Sequence, residues 1–381
     1  MQAATDPAYR AGYAGSERNM KEKLRAGVVG ATGMVGQRFI TLLDNHPYFN
    51  VTALAASARS AGKTYTEAVG SRWKLDIPMP EYAKHMTVID AADINAMREK
   101  CDFVFCAVDM KKDEIRALEE AYAKAELPVI SNNSANRLVP DVPMVIPEIN
   151  PGHFEVIAAQ RKRLGTKRGF IAVKPNCSIQ SYVPPLSALL EFEPYEVAVT
   201  TYQAISGAGK TFEEWPEILD NVIPYIGGEE EKSEIEPLKI WGKLENGEVK
   251  PCSDIRISAQ CLRVPVSNGH TAAVFVKFRK RPSEAQILEA WKNYKGMPEE
   301  LKLPHAPEQF ITYMAEPDRP QAKLDRDIYG GMGVTVGRLR EDSLFDYKFV
   351  GLHHNTLRGA AGGGMLTAEL LFKLGYLTGE R

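Results

Sequence analysis

The sequence predicts an α/β protein built from two parts. The first is a parallel sheet wrapped by helices; the second is an α+β domain with a mixed, largely antiparallel sheet. Three observations predict this. The chain has 381 residues, and at roughly 150 residues per domain that length suits two domains. Short apolar strand-like runs alternate with helical patterns up to Ser131, the signature of βαβ units. Beyond Val197 the strand candidates are longer, β-branched and alternating in polarity, as in a sheet with one wetter face.

Taken in order, Leu24 to Gly30 reads as a short buried strand, Met34 to Leu43 as a helix, and Asn50 to Ser57 as a second strand. Asp90 to Lys100 reads as a helix with Asp90 as N-cap. Asp102 to Val108 is a continuous apolar strand, Lys111 to Ala125 a helix with a polar face, and Pro128 to Ser131 another strand. A strand-like Phe170–Val173 and an apolar helical run, Tyr182–Leu190, follow. In the second part the strand candidates are Val197–Ile205, Ile255–Val264, Thr271–Arg279, Val334–Leu339 and Tyr347–Leu352. A helix is expected near Ser283–Tyr294, and Gly227–Lys239 reads as a polar stretch. Asn355 to Leu374 returns to a helical pattern with Gly375 as its stop. The expected division falls near 150–155, after the Pro-rich stretch Pro140–Pro151. It assigns 24–152 plus 354–381 to the first domain, 153–353 to the second, and 1–23 to a polar N-terminal tail.

Composition excludes several classes. A chain that is 44% hydrophobic and 25% charged is neither fibrous nor disordered. Its 47 basic and 49 acidic residues leave a net charge of −2, so no overall field gathers nucleic acid or an acidic membrane. No run approaches the length of a membrane span. The N-terminus lacks the apolar core of a secretory signal, and five cysteines form no disulfide framework. Both points suggest a reducing, cytoplasmic setting.

Gly30-Ala-Thr32-Gly33-Met34-Val35-Gly36 lies directly between a predicted strand and a predicted helix. In that context glycines permit a tight turn and close approach of a pyrophosphate, which the helix N-terminus then binds. The first domain is therefore expected to be of Rossmann type. The next strand ends in Ser57-Ala-Arg59-Ser60, with Lys63 beyond. NAD-selective sites usually place an acid there for the ribose 2′-hydroxyl. Hydroxyls and cations instead suit a 2′-phosphate, so the expected cofactor is NADP.

Cys177 lies in Lys174-Pro-Asn176-Cys177-Ser178, before the predicted helix. A thiol at a helix N-terminus is biased toward the nucleophilic thiolate. The other cysteines, Cys101, Cys106, Cys252 and Cys261, lie in or beside strands and read as packing residues. A cysteine nucleophile needs a proton-transfer partner. Among the seven histidines, His270 stands out through its company in Arg263-Val-Pro-Val-Ser-Asn-Gly-His270. Ser206-Gly-Ala-Gly-Lys-Thr211 looks like the end of a nucleotide-triphosphate loop but lacks the first glycine, the position being Ala204. No ligand spacing calls for a metal.

With these segments in order, the chain resembles the aspartate-semialdehyde dehydrogenases, particularly their archaeal and fungal-type branch. The likeness runs from about Leu24 to Leu374. It is carried by the Gly30–Gly36 turn, Ala56–Lys63, Ser131-Asn-Asn-Ser-Ala-Asn-Arg137, Pro-Asn-Cys-Ser, Tyr202-Gln203-Ala-Ile-Ser206-Gly207-Ala-Gly, Arg263–His270 and Asn355-Thr-Leu-Arg-Gly-Ala-Ala-Gly. The resemblance implies Cys177 as acyl-forming nucleophile, His270 as general acid/base, Gln203 as the group orienting substrate, and Asn176 beside the thiol. It implies Arg263 on the substrate α-carboxylate, Arg137 on phosphate, and Glu236 with Lys239 on substrate amine and phosphate. Ser206, Gly207 and Asn355 are implied on the cofactor, Asn355 at the nicotinamide carboxamide.

The implied reaction is NADPH-dependent reduction of aspartyl phosphate to aspartate semialdehyde, reversible with phosphate, in lysine, threonine and methionine biosynthesis. The implied partners are these small molecules and further copies of the chain, as homodimer or homotetramer. Two alternatives stand beside it. One is a malonyl-CoA reductase or another acyl reductase on the same scaffold. The other is a non-catalytic NADP-binding regulator.

Overall fold

The computed structural model describes residues 23–378; apart from Lys23, the expected N-terminal tail lies outside them. The described chain forms two compact units. One runs through Lys174 and takes in Leu244–Val249 and the chain from Gly364; the other comprises Pro175–Lys243 and Lys250–Gly363.

In the first unit six strands form one parallel sheet: β1 (Leu24–Val29), β2 (Phe49–Ala56), β3 (Val88–Asp90), β4 (Phe103–Cys106), β5 (Val129–Ser131) and β6 (Ile171–Val173). Their order is β3-β2-β1-β4-β5-β6, the doubly wound arrangement of dinucleotide-binding sheets. β4 and β5 are buried at every residue, which explains their unbroken apolar sequence. Its longer helices before Lys174 are α1 (Met34–Leu42), α2 (Ile94–Lys100), α3 (Lys112–Lys124) and α4 (Ile157–Leu164).

Asp90 does not cap α2. It ends β3, a three-residue strand that leads up to the predicted helix, and Asp93 caps instead, its Oδ1 accepting the Ala96 N–H at 3.0 Å. α3 carries Asp113 and Glu114 in its first turn and Lys124 in its last, each matching the helix dipole.

The division expected near 150–155 falls inside this unit. α4 and β6 both follow it, and the Pro-rich stretch is no linker. Met144 bridges Val173 in parallel, and the Val145 N–H donates to the Val173 carbonyl at 3.1 Å.

The second unit holds β7 (Pro194–Gln203), β10 (Arg256–Arg263), β11 (His270–Phe278), β12 (Ile311–Met314), β13 (Val334–Glu341) and β14 (Tyr347–His353). They form a mixed sheet ordered β10-β7-β11-β14-β13-β12. β7–β11, β11–β14 and β13–β14 are antiparallel; β10–β7 and β12–β13 are parallel. The short β8 (Lys243–Glu245) and β9 (Glu248–Lys250) pair with each other. β11 alternates strictly between buried and half-buried residues, so one sheet face is closed and the other is wetter. The inner face at one end carries the chemistry. Gln203 pairs with Arg263 across β7–β10, and His270 pairs with His353 across β11–β14.

Three local expectations are corrected here. Gly227–Lys239 is mostly α5 (Glu229–Ile240), whose first turn holds Glu229, Glu230 and Glu231; acids at a helix N-terminus are stabilising. Tyr182–Leu190 is not one helix. A single 3₁₀ turn (Ser178–Ser181) precedes a short helix (Val183–Ser187); Pro184 and Pro185, in the first turn of that helix, lack the N–H that would join the two. Cys177 therefore precedes one tight turn, and the long-helix dipole argument for its thiolate does not hold.

The closing helix is α7 (Gly362–Lys373), α6 (Glu284–Asn293) being the Ser283-capped helix before it. Residues 357–361 form an irregular turn with Ala360 at φ −141°, ψ −106°. The end of α7 belongs to the first unit. Glu369 Oε1 meets His46 Nε2 at 2.8 Å, and Phe372 packs edge-on to Phe49 at 5.9 Å. Gly375 ends the helix at φ +79°.

Candidate active site

Sequence order scatters Asn176, Cys177, Gln203, Arg263 and His270, but the second unit gathers them. The 3₁₀ turn after Cys177 lies flat on the sheet. A Cβ at Gly351 of β14 would stand 1.9 Å from the Ser181 carbonyl oxygen, so only glycine allows this approach. The turn brings Cys177 Sγ to 3.5 Å from His270 Nε2. Cys177 is half-buried and His270 fully buried.

The Ala204 peptide organises two of these groups. Its N–H donates to His270 Nδ1 at 3.0 Å, and its carbonyl accepts from Arg263 Nη1 at 2.8 Å. A Cβ at Gly207 would lie 2.8 Å from Arg263 Nη1 and 3.2 Å from His270 Nε2. Guanidinium and imidazole therefore flank the same point. Burial lowers the Arg263 pKa, with opposing contributions from Cys177 and Glu229; a guanidinium stays charged regardless.

α5 supplies a group the sequence reading missed. The Glu229 carboxylate accepts from Asn176 Nδ2 at 3.1 and 3.0 Å and from Gln203 Nε2 at 3.3 Å. It pairs with Lys232 at 2.8 Å. Burial by itself pushes Glu229 up, but the Lys232 cation and the hydrogen bonds from Lys232, Asn176 and Gln203 outweigh it and hold the carboxyl below its usual range. The visible signal was a second Glu-x-x-Lys, Glu229–Lys232, seven residues before Glu236–Lys239.

Glu236 makes a different contact. Its Oε2 accepts the backbone N–H of Asn176 at 2.6 Å, fixing the peptide beside the thiol. Asn176 Oδ1 in turn accepts from the Ser178 N–H at 2.7 Å. Lys239, one turn on, is likewise buried. Asn355 bridges two loops, accepting the Gly269 N–H at 2.8 Å and donating to Ser206 Oγ at 2.9 Å.

In the first unit the Gly30–Gly36 turn fits a dinucleotide. Gly30 has φ +86°, and a Cβ there would stand 2.2 Å from the Ala107 carbonyl oxygen. A Cβ at Gly36 would lie 2.2 Å from the Gly30 carbonyl oxygen, so α1 packs against the turn only without a side chain. Gly33 caps α1 and gives it no side-chain cap, leaving its N-terminal amides to a ligand. Thr32, Met34 and Val35 are half-buried around the turn. At the end of β2, Ser57 and Arg59 are exposed and Ser60 is buried.

Arg137 is held by its Nε to the Lys174 carbonyl at 3.0 Å and its Nη2 to the Asn132 carbonyl at 3.1 Å. The segment leading to it is tied down by Glu119, a buried carboxylate accepting from Ser131 Oγ (2.5 Å), Asn133 Nδ2 (2.8 Å) and Asn136 Nδ2 (2.7 Å).

Among the remaining thiols, burial pushes Cys106 far above its ordinary value and raises Cys261. Neither is poised to react.

The two units define a chain of the semialdehyde dehydrogenase class. Residues 25–157 match the family model described as "Semialdehyde dehydrogenase, NAD binding domain", and residues 185–358 match "Semialdehyde dehydrogenase, dimerisation domain". The chain is 46% identical over 351 residues to the aspartate-semialdehyde dehydrogenase of Methanothermobacter thermautotrophicus, covering 91% of this chain and 99% of that one. It is 45% identical over 360 residues to that of Schizosaccharomyces pombe, covering 93% and 99%. The crystal structure of the Candida albicans enzyme with NADP superposes with a TM-score of 0.84 at 41% identity, covering 93% of this chain and all of that one. The chain belongs to the aspartate-semialdehyde dehydrogenase family.

Proposed function

We propose that this chain catalyses the NADPH-dependent reductive dephosphorylation of aspartyl 4-phosphate to aspartate 4-semialdehyde, reversible with phosphate, within amino-acid biosynthesis. The observation that carries the reading is the Cys177–His270 contact at 3.5 Å, with Arg263 beside the same imidazole and Glu229 bonded to Asn176, the residue before the thiol.

Cys177 attacks the acyl carbon and phosphate leaves, giving a thioester. A thiol suits this role because its ester remains electrophilic enough to accept hydride. Bound NADPH supplies that hydride. Arg263 grips the α-carboxylate; its planar fork makes two parallel bonds that lysine cannot reproduce. The α-ammonium falls to Glu229 rather than Glu236, because Glu229 is held ionised beside Gln203 and Asn176 whereas Glu236 is spent on a backbone N–H. Glu236 acts as a positioning residue for the thiol loop, while Gln203 and Asn176 orient substrate. The phosphate roles of Arg137 and Lys239 rest on the family resemblance alone.

In the first unit, the amides of the Gly30–Gly36 turn receive the pyrophosphate, and Ser57, Arg59 and Ser60 take the 2′-phosphate. Ser206, Gly207 and Asn355 are assigned to the cofactor by resemblance.

The wetter sheet face and the exposed apolar side chains Tyr202, Leu219, Val222 and Tyr225 support assembly through the second unit, as homodimer or dimer of dimers. All five cysteines are free thiols, which suits a cytoplasmic enzyme.

The test is an assay of NADP reduction with aspartate semialdehyde, with and without phosphate, run beside malonyl-CoA plus NADPH. Phosphate-dependent turnover of the first alone is expected. Turnover of malonyl-CoA alone would replace the reading with a CoA-thioester reductase.

A further inference from the structure

Within the second unit, the groups assigned to substrate are held from behind by a closed ring of side chains. Ser178 Oγ donates to Asn176 Oδ1 at 2.6 Å and meets Ser233 Oγ of α5 at 3.2 Å. Ser233 Oγ meets Cys261 Sγ of β10 at 3.6 Å. Cys261 pairs with Thr201 across β10–β7, and the Thr201 side chain hydrogen-bonds its thiol. Thr201 Oγ1 accepts from Gln203 Nε2 at 3.3 Å. Gln203 and Asn176 both donate to Glu229, which closes the ring. Ser178, Thr201, Ser233 and Cys261 are fully buried, so each depends on the next for its hydrogen bonds.

Proton counting gives the ring one direction. Asn176 Oδ1 can only accept, so the single hydroxyl proton of Ser178 is committed there. Ser178 Oγ must then accept from Ser233, and Ser233 in turn from the Cys261 thiol, which burial keeps protonated. The sulfur accepts from Thr201, and Thr201 from the Gln203 amide. The bonds run head to tail from Gln203 to Asn176, an arrangement in which each bond polarises the next. The amide orientations follow: Asn176 turns its Nδ2, and Gln203 its Nε2, toward Glu229. The Ser178 N–H, which donates to Asn176 Oδ1 at 2.7 Å, supports the same orientation.

We infer that Ser233 is a positioning residue for the reaction: by joining Cys261 to Ser178 it sets the amide of Asn176 and, through it, the Glu229 carboxylate that receives the substrate ammonium. The inference rests on the assignment of that ammonium to Glu229. Ser233 lies one turn after Glu229 on the same buried face of α5. Its carbonyl accepts from the Tyr182 hydroxyl at 2.6 Å, so the backbone that carries the Ser233 side chain is itself anchored. Removing the hydroxyl strands two buried groups at once: Ser178 loses its donor, and the Cys261 thiol loses its acceptor. Neither Ser233 nor Cys261 needs to touch substrate for this effect.

The test uses the full-length chain with Ser233→Ala, Cys261→Ala and Cys261→Ser, and Ser233→Ala combined with Glu229→Gln. Ser233→Ala and Cys261→Ala should each lower kcat/KM for aspartate semialdehyde about 10-fold, through KM, with the KM for NADP unchanged. Cys261→Ser keeps a donor and an acceptor and should stay within about 3-fold of the parent. In the Glu229→Gln background Ser233→Ala should cost less than about 3-fold, because the group it positions is already altered. An equal cost in both backgrounds marks a general loosening and overturns the inference. So does a parent-like Ser233→Ala, or a Cys261→Ser as impaired as Cys261→Ala. If instead the parent chain turns over no aspartate semialdehyde, the substrate reading fails, and nitrogen–proton spectra decide the ring. The side-chain amide signals of Asn176, assigned by their loss in Asn176→Asp, should shift in Ser233→Ala and Cys261→Ala but hold in Cys261→Ser. Unmoved signals in Ser233→Ala overturn the inference.

Discussion

Gly207→Ala probes how tightly the carboxylate clamp and the imidazole are held. The added Cβ would lie 2.8 Å from Arg263 Nη1, 3.1 Å from His270 Cε1 and 3.2 Å from His270 Nε2. The first of these is about 0.6 Å short of ordinary van der Waals contact. Arg263 cannot simply swing aside, because Nη1 is bonded to the Ala204 carbonyl at 2.8 Å and the side chain is 6% exposed. Since a displacement of ~1 Å can cost ~10²-fold in rate, a shift near half that size predicts a loss of about 10-fold in kcat/KM, or ~1.4 kcal/mol. The mutated turn is exposed at Gly207, so the melting temperature should hardly move. Steady-state kinetics with aspartate semialdehyde and NADP varied separately provide the assay. The loss should fall mainly on aspartate semialdehyde. Parent-like kinetics, or a defect confined to the KM for NADP, would refute the reasoning.

Further consequences can be measured in the same way. Arg263→Lys should weaken aspartate semialdehyde by about 1.5–3 kcal/mol, the range for a hydrogen bond to a charged group, seen as a raised KM with NADP binding unchanged by titration. Glu229→Gln should raise that KM more than kcat falls, whereas Glu236→Gln should act mainly on kcat by freeing the Asn176 peptide; the reverse pattern would return the amine to Glu236. The Glu229 carboxyl is held below the usual value near ~4.3, so its ionised form contributes stability above that pH and loses it only as pH falls through the lowered folded value. Denaturant titrations from pH ~6 to ~3 should therefore show a smaller acid-induced loss for Glu229→Gln than for the parent. Gly36→Ala would drive a Cβ to 2.2 Å from the Gly30 carbonyl oxygen, prising α1 from the turn; NADP affinity by fluorescence titration should drop at least ~10-fold.

Much of the fold was legible because local pattern and tertiary role agree. The apolar runs at Leu24–Gly30 and Asp102–Val108 are buried parallel strands, which tolerate no polar alternation. The glycine turn was legible because Gly30 and Gly36 each answer a close backbone approach. What escaped notice depends on context. β3 is three residues long, too short for periodicity to register. α5 is a helix of acids whose inner face, with Glu229, Ser233 and Glu236 buried, binds polar partners rather than an apolar core, so its amphipathic stripe is chemical and not hydrophobic. Glu229 and Glu236 share a Glu-x-x-Lys spacing. Only the fold shows that one meets side-chain amides and the other a backbone N–H. The anchoring of His270 Nδ1 by the Ala204 N–H was beyond any sequence pattern, because it is made by the main chain.

The account rests on an acyl group carried by Cys177, and a single-turnover experiment tests that directly. Mixing the chain with aspartate semialdehyde and NADP in the absence of phosphate should give a burst of about one NADPH per active site and then stall. Acid-quenched digests should carry the aspartyl adduct on the peptide containing Cys177, and adding phosphate should discharge it. A Cys177→Ala chain that still reduces NADP, or an adduct mapped to another residue, would contradict the account.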